Sequence, residues 1–227
     1  MGLSSIYNRV VHRVQRQLGT RNKNQLTILM YHAVVRAPLQ VYDWCFLDAA
    51  SFRSQMHYLK RHFAVISLSE AVERLRTGGI QQPTAVITFD DGFQNNYDVA
   101  WPILRAAAIP ATIFLTTGLI GTSDTAWFCR LNRAVAETRK TALEWNGRRF
   151  DLSGPGPKGE TASAIKARLK EFPHPRLLTE LRKIVLALGA DPDRPVEVSS
   201  PFRLLSHAAI AAMAASGIVE FGAHTHS

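Results

Sequence analysis

Cysteine is scarce in this chain. Only Cys45 and Cys129 occur in 227 residues, they fit no metal-ligand spacing, and two such positions make no disulfide framework, so both are read as free thiols. No apolar run approaches the roughly 18 residues that a membrane span requires, and no basic-then-apolar leader opens the chain. Zinc-finger, helix-turn-helix and RNP signatures are missing, and the basic residues are not interleaved with stacking aromatics. The formal net charge of +9 therefore does not point to sequence-specific nucleic-acid binding. With 46% hydrophobic residues, the chain has ample material for one core.

Acidic residues are absent from positions 1–24, where Arg9, Arg13, Arg16, Arg21 and Lys23 supply five positive charges. At about 100° per residue, Ile6, Tyr7, Val10, Val14 and Leu18 share one helical arc, with Arg9, Arg13 and Arg16 on another beside it. A basic amphipathic helix is expected here. It is read either as a peripheral contact with an anionic membrane or as a helix whose apolar stripe packs on the rest of the protein.

What the chain does have is a pair of adjacent carboxylates at the end of a short apolar strand. Ala85-Val86-Ile87-Thr88-Phe89 is followed at once by Asp90-Asp91-Gly92. Neighbouring side chains on a strand point to opposite faces, so the two aspartates can converge only where the strand stops and the backbone turns. Two like charges there cost stability unless a cation accompanies them. The alternative is a plain Asp-Gly turn at a strand end. At the other end of the chain, a second strand-like stretch, Val219-Glu220-Phe221-Gly222-Ala223, runs into His224-Thr225-His226, and neutral imidazole is a common ligand for zinc. Asp91 and His224 are far apart in sequence. A fold that gathers strand ends on one rim, as a barrel does, is needed to join them.

On these motifs the sequence resembles the polysaccharide deacetylase family, the NodB-homology domain of carbohydrate esterase family four. The resemblance rests on Thr88-Phe89-Asp90-Asp91-Gly92 and on His224-Thr225 as the opening of an H-[ST]-x-x-H motif. Further matching phrases are Leu29-Met30-Tyr31-His32, Pro110-Ala111-Thr112-Ile113-Phe114-Leu115 and the approach from Met213 to His224. The resemblance implies an α/β fold, a (β/α) barrel of the distorted seven- or eight-stranded deacetylase type. It implies hydrolysis of the N-acetyl group of an acetamido sugar in a polysaccharide or glycolipid, with Asp90 as catalytic base and Asp91 and His224 as ligands of a divalent metal, most simply Zn2+. The family's second metal histidine would stand at position 228, and the chain ends at Ser227. The family's later motifs, including the general acid, are also missing. The chain is accordingly read as the N-terminal part of such a domain. The competing reading is a catalytically inactive glycan-binding or remnant domain. Without a leader, residence in the cytoplasm is expected, peripheral at the inner membrane face if the N-terminal helix attaches there.

The domain is expected over residues 25–227, with residues 1–24 as the separate basic helix and an insertion at about 122–200. Strands are expected at Gln25–Tyr31, Phe63–Leu68, Ala85–Phe89 and Ala111–Leu115. Helices are expected at Ser51–Arg61, Ser69–Arg76, Val99–Ala108 and Trp127–Arg139, with a last one capped by Ser206 and ending at Gly217. Within the insertion, Glu144–Leu152 reads as a hairpin around Asn146-Gly147. Ser153-Gly154-Pro155-Gly156-Pro157 reads as loop, and Thr161–Gly189 as helix broken at Pro173-His174-Pro175. Three further residues are candidates for substrate contact. His32 ends the first strand and either reaches the site rim or makes a structural hydrogen bond. Thr225 either positions the histidine backbone or bonds a substrate oxygen. Trp127 either stacks on a sugar ring or packs.

Overall fold

The computed structural model describes residues 24–227. The helix expected over residues 1–24 falls, but for Asn24, outside that range. Four strands lie side by side in a parallel sheet, in the order β1 (Leu26–Tyr31), β5 (Thr84–Phe89), β6 (Ala111–Thr116) and β9 (Val219–Thr225). A two-residue strand, β4 (Ala64–Val65), adds a fifth member. All six residues of β5 are buried, which explains its continuous apolar run: a parallel strand covered on both faces has no polar side to show. One edge of β5 pairs with β1 along its full length. The other edge is shared, taken by β4 at Thr84–Ala85 and by β6 at Thr88–Phe89. Among the described residues β1 and β9 each pair on one side only, so the sheet is an open α/β sheet and does not close into a barrel.

The helices follow from their caps and apolar stripes. Helix α1 (Ala49–His62) starts where the Asp48 carboxylate accepts from the Ser51 N–H at 2.9 Å, and it buries Phe52, Met56 and Leu59, spaced by four and three residues. Each such side chain contributes about 1.5–3 kcal/mol by leaving water. Helix α2 (Leu68–Arg76) begins earlier than its sequence suggested. Ser67, not Ser69, is the cap, its Oγ accepting from the Glu70 N–H at 3.1 Å. Ser67 and Glu70 have capping-box spacing, and that local chemistry shortens the expected Phe63–Leu68 strand to β4. The helix expected over Val99–Ala108 is wound in two pitches, π-helical over Asn96–Ala100 and then α3 (Trp101–Ala107), with Pro102 in its first turn. The last helix, α7 (His207–Ala214), is capped as expected, with Ser206 Oγ accepting from the Ala209 N–H. No described helix is long and apolar enough to cross a membrane.

Residues 127–188 build a core of their own. Helix α4 (Trp127–Glu137), a hairpin of β7 (Ala142–Trp145) and β8 (Arg148–Asp151), α5 (Pro155–Leu169) and α6 (His174–Ala187) enclose Leu131, Val135, Trp145, Ile165 and Leu181. The hairpin turns at Asn146 (φ 53°) and Gly147 (φ 69°), the left-handed pair that an Asn-Gly turn favours. Of the segment Ser153–Pro157, read as loop, Ser153 and Gly154 are non-helical and Pro155–Pro157 instead open the first turn of α5. Proline is tolerated there because its missing N–H would have had no helical partner. Burial of Thr161, Ala162, Ile165 and Leu169 then outweighs the poor propensity of the opening residues.

One buried ion pair ties this second core to the loop that joins β2 (Ala33–Val35) to β3 (Phe46–Asp48). The Asp43 carboxylate, 1% exposed, accepts from Lys166 Nζ of α5 at 2.8 Å and from Asn132 Nδ2 of α4 at 2.6 Å, and the Cys45 N–H donates to it at 3.1 Å. Burial pushes the Asp43 carboxyl up, but Lys166 and the other donors outweigh it and hold the group below the usual carboxylate range. A folded pKa below the unfolded one means stabilisation that is present above about pH 4 and lost as pH falls through the folded value. Removing one partner of such a pair strands the other. Lys166→Met is therefore expected to lower unfolding free energy by about 3–5 kcal/mol in chemical denaturation. Asp43→Asn should flatten the acid side of the stability profile. An unchanged midpoint for Lys166→Met would contradict the role assigned to the pair.

Candidate active site at the carboxyl ends of the strands

At the end of β5 the ladder to β1 runs one residue further, the Asp90 N–H donating to Tyr31 O at 2.9 Å. The chain then reverses. Asp91 takes φ 69° and Gly92 φ 75°, a left-handed pair that costs a non-glycine residue about 1–2 kcal/mol and that aspartate tolerates better than most. The turn is held from both sides. The Thr116 N–H donates to Asp91 O at 3.2 Å, the Leu205 N–H to Gly92 O at 2.8 Å, and the Gly92 N–H closes back on Asp90 O at 2.9 Å. Glycine is favoured at position 92 by its φ, and a Cβ there would lie 2.7 Å from Leu115 Cδ2, so that side chain would have to shift.

The facing strand carries a matching irregularity. β9 follows β6 residue for residue up to Leu115↔Ala223, and the next pair is Thr116↔Thr225. His224 is the residue left over, a β-bulge, and a bulge re-aims the side chain it frees. His224 Nε2 comes to 3.9 Å from Asp91 Oδ1, which is too long for a hydrogen bond. Two ligand bonds of about 2 Å to a tetrahedral ion would set these atoms about 3.3 Å apart, so a shared cation fits after a small closure. The chemistry of the donor set, one carboxylate and one imidazole, fits zinc and related divalent ions. Among the described residues no group of three histidine, cysteine or acidic side chains gathers to hold an ion. Asp91 and His224 are the two groups here that could hold one.

Burial pushes the Asp91 carboxyl above its ordinary value, and the charge of Asp90 pushes the same way. His32, His224 and a hydrogen bond with the Thr116 hydroxyl pull in the opposite direction without cancelling the rise. His32 lies at this rim, because it follows Tyr31, whose carbonyl accepts from the Asp90 N–H. Its carbonyl accepts from Asn96 Nδ2 at 2.7 Å, so the π-helical segment fixes the backbone from which its ring projects. His226 separates from the pair. The bulge breaks the two-residue alternation that would have set it on the face of His224, and its Nδ1 instead lies 3.3 Å from Thr117 Oγ1. Gly118 permits that approach, because a Cβ there would sit 2.4 Å from the His226 carbonyl oxygen. The Thr225 hydroxyl donates to Ser227 O at 2.8 Å. Trp127 is half-buried at the start of α4, edge-on to Phe128 at 5.9 Å and packed on the second core, which is the packing alternative for that residue. Neither cysteine forms a disulfide. Burial, with Asp43 next, pushes the Cys45 thiol up to about 12, so it does not serve as a thiolate nucleophile. One residue at this end went unread in the sequence. Trp44 lies edge-on to His32 with ring centroids 5.1 Å apart, and its only sequence signal was an aromatic beside an acid in a loop.

Fold and site together define an α/β protein that collects carboxylate and imidazole groups at the carboxyl ends of parallel strands. Residues 78–152 match the family model for polysaccharide deacetylase, a span that contains Asp90, Asp91 and Gly92. The chain is 39% identical over 74 residues to a poly-beta-1,6-N-acetyl-D-glucosamine N-deacetylase of Staphylococcus epidermidis, and 37% identical over 76 residues to one of Staphylococcus aureus. These stretches cover 32% and 33% of this chain and 26% of each relative, so the match spans about a quarter of their length. A solved structure of IcaB from Ammonifex degensii overlays on 91% of this chain and 55% of its own, at 19% identity and a TM-score of 0.49. Over residues 78–152, then, the chain is similar to the polysaccharide deacetylase family.

Two outcomes are expected for the turn. Asp91 has a raised folded pKa, so its ionisation opposes folding, and stability falls as pH rises from the unfolded value of about 3.9 through the folded one. In chelator, Asp91→Asn should melt above the wild type at pH 7, with the difference vanishing below about pH 4. Scanning calorimetry across that range checks the sign. Gly92→Ala should lose at least about 1–2 kcal/mol to the left-handed φ, with further loss to the Leu115 contact. A neutral result there would contradict the turn described.

Proposed function

We infer that this chain carries the reacting centre of a metal-dependent N-deacetylase acting on an acetamido-sugar polymer of the poly-β-1,6-N-acetylglucosamine type, and that its open sheet is part of the family's barrel. The observation that carries this reading is the bulged His224 facing Asp91 at 3.9 Å, directly beside Asp90. The matched family segment and the names of the staphylococcal relatives support the substrate class.

Asp91 and His224 would hold the ion, with zinc the best fit to their chemistry. When bound, such an ion acidifies a water and polarises the acetamide carbonyl. The protein's own groups supply the rest. Asp90 is the base that takes the proton from water as its oxygen adds to the carbonyl carbon, and it acts in the ionised form. The C–N bond then breaks, acetate departs, and the sugar nitrogen needs a proton to leave as the amine. His32 is assigned that donation, because it follows Tyr31, whose carbonyl accepts from the Asp90 N–H, and because its own backbone is fixed by Asn96. Thr225, with its hydroxyl on Ser227 O, is assigned to holding the backbone that follows His224.

A second reading is glycan binding without turnover, favoured by the gathering of only two protein donors among the described residues. One experiment separates the two. With zinc supplied, Asp90→Asn is expected to lose acetate release from a β-1,6-linked N-acetylglucosamine oligomer by about 10²–10⁴-fold while retaining its affinity for the oligomer. Acetate release that is undiminished in the variant, or absent from the wild type, would overturn the catalytic reading.

A further inference from the structure

We propose that Trp44 is a stacking platform for a pyranose ring of the substrate, held beside the reacting centre by the buried Asp43 anchor; the proposal rests on the deacetylase reading above. Trp44 is 63% exposed, and an indole left largely in water forgoes a large apolar burial. Its ring is not isolated on the surface, because it touches His32, the residue after Tyr31, whose carbonyl accepts from the Asp90 N–H. A sugar ring that meets this indole therefore lies next to the groups that handle the acetamide.

The neighbouring residue explains why the indole stays in place. Asp43 is buried under Lys166 and Asn132, and the Cys45 N–H and Phe46 N–H donate to its side chain and carbonyl. The Ala33 N–H donates to Cys45 O at 3.0 Å, so the far side of Trp44 is tied to the segment that follows His32. An aromatic side chain on a fixed backbone loses little freedom on binding, the circumstance in which tryptophan contributes most to recognition. The ligand chemistry follows from the surface. A pyranose ring offers a face of C–H groups to the indole while its hydroxyls remain at the polar rim. The second core thereby acquires a part in substrate recognition, since α4 and α5 supply Asn132 and Lys166.

The test is calorimetric titration of a β-1,6-linked N-acetylglucosamine pentamer into the zinc-supplied Asp90→Asn chain, with Trp44 intact and as Trp44→Ala and Trp44→Phe. Tyr42→Ala serves as control, its side chain being an equally exposed aromatic of the same loop (72%). Trp44→Ala should weaken binding about tenfold or more, Trp44→Phe about threefold or less, and Tyr42→Ala hardly at all. In 5-fluorotryptophan-labelled protein, the fluorine resonance missing from Trp44→Phe should shift as pentamer is added. Equal affinities for the Trp44-intact and Trp44→Ala chains, or an unshifted Trp44 resonance while the pentamer binds, would overturn the platform and leave the deacetylase reading standing. Equal losses for Tyr42→Ala and Trp44→Ala would also overturn it, indicating a general apolar surface. Failure of the Trp44-intact chain to bind the pentamer would overturn the glycan reading itself, and the platform with it.

Discussion

Adjacent side chains on a β-strand point to opposite faces, and the site described above depends on breaking that rule twice, once on each of two strands. On β5 the break is a reversal through left-handed residues at Asp91 and Gly92, which allows neighbouring carboxylates to serve one place. On β9 it is a bulge that leaves His224 out of register with β6 and turns it toward Asp91. Both irregularities are pinned by backbone hydrogen bonds to Thr116, Thr117 and Leu205. The cost of the strained turn and of a buried carboxylate is met by the fully buried strand that precedes them. A rigid β5 positions the carboxylates, and their conformation departs from the strand only where the chemistry needs it.

The second core contributes more than bulk. Two of its helices supply Asn132 and Lys166, which hold Asp43, and Asp43 fixes the loop between β2 and β3. A buried ion pair is weak support for overall stability, because desolvation offsets most of its attraction. Its value here is geometric. One carboxylate with three donors allows the loop beside His32 a single arrangement. The π-helical stretch works on the same residue from the other side, through Asn96 and the His32 carbonyl. Two parts of the chain with separate cores thus converge on one histidine.

Much of this was legible in the sequence wherever a short-range rule sufficed. The Asp-Asp-Gly turn, the cap at Ser206, the stripe of α1 and the Asn-Gly hairpin all follow from chemistry within a few residues. The misreadings share a cause. Pro155–Pro157 looked like loop because their local propensity is poor, and only the burial of Ile165 and Leu169 further along makes them the start of a helix. The strand at Phe63–Leu68 was overlong because Ser67 and Leu68 belong to the next helix. The bulge at His224 could not be read at all, since it is defined by pairing with a strand more than a hundred residues earlier. That same non-locality left Trp44 unread, and the packing of Trp127 on Phe128 and the second core is tertiary too.

The central claim is that Asp91 and His224 form one binding place. Calorimetric titration of zinc into the wild type, Asp91→Ala, His224→Ala and His226→Ala tests it most directly. The account predicts about one zinc per wild-type chain, lost in Asp91→Ala and in His224→Ala alike and retained in His226→Ala. Equal zinc binding by the wild type and Asp91→Ala, or loss confined to His226→Ala, would contradict it.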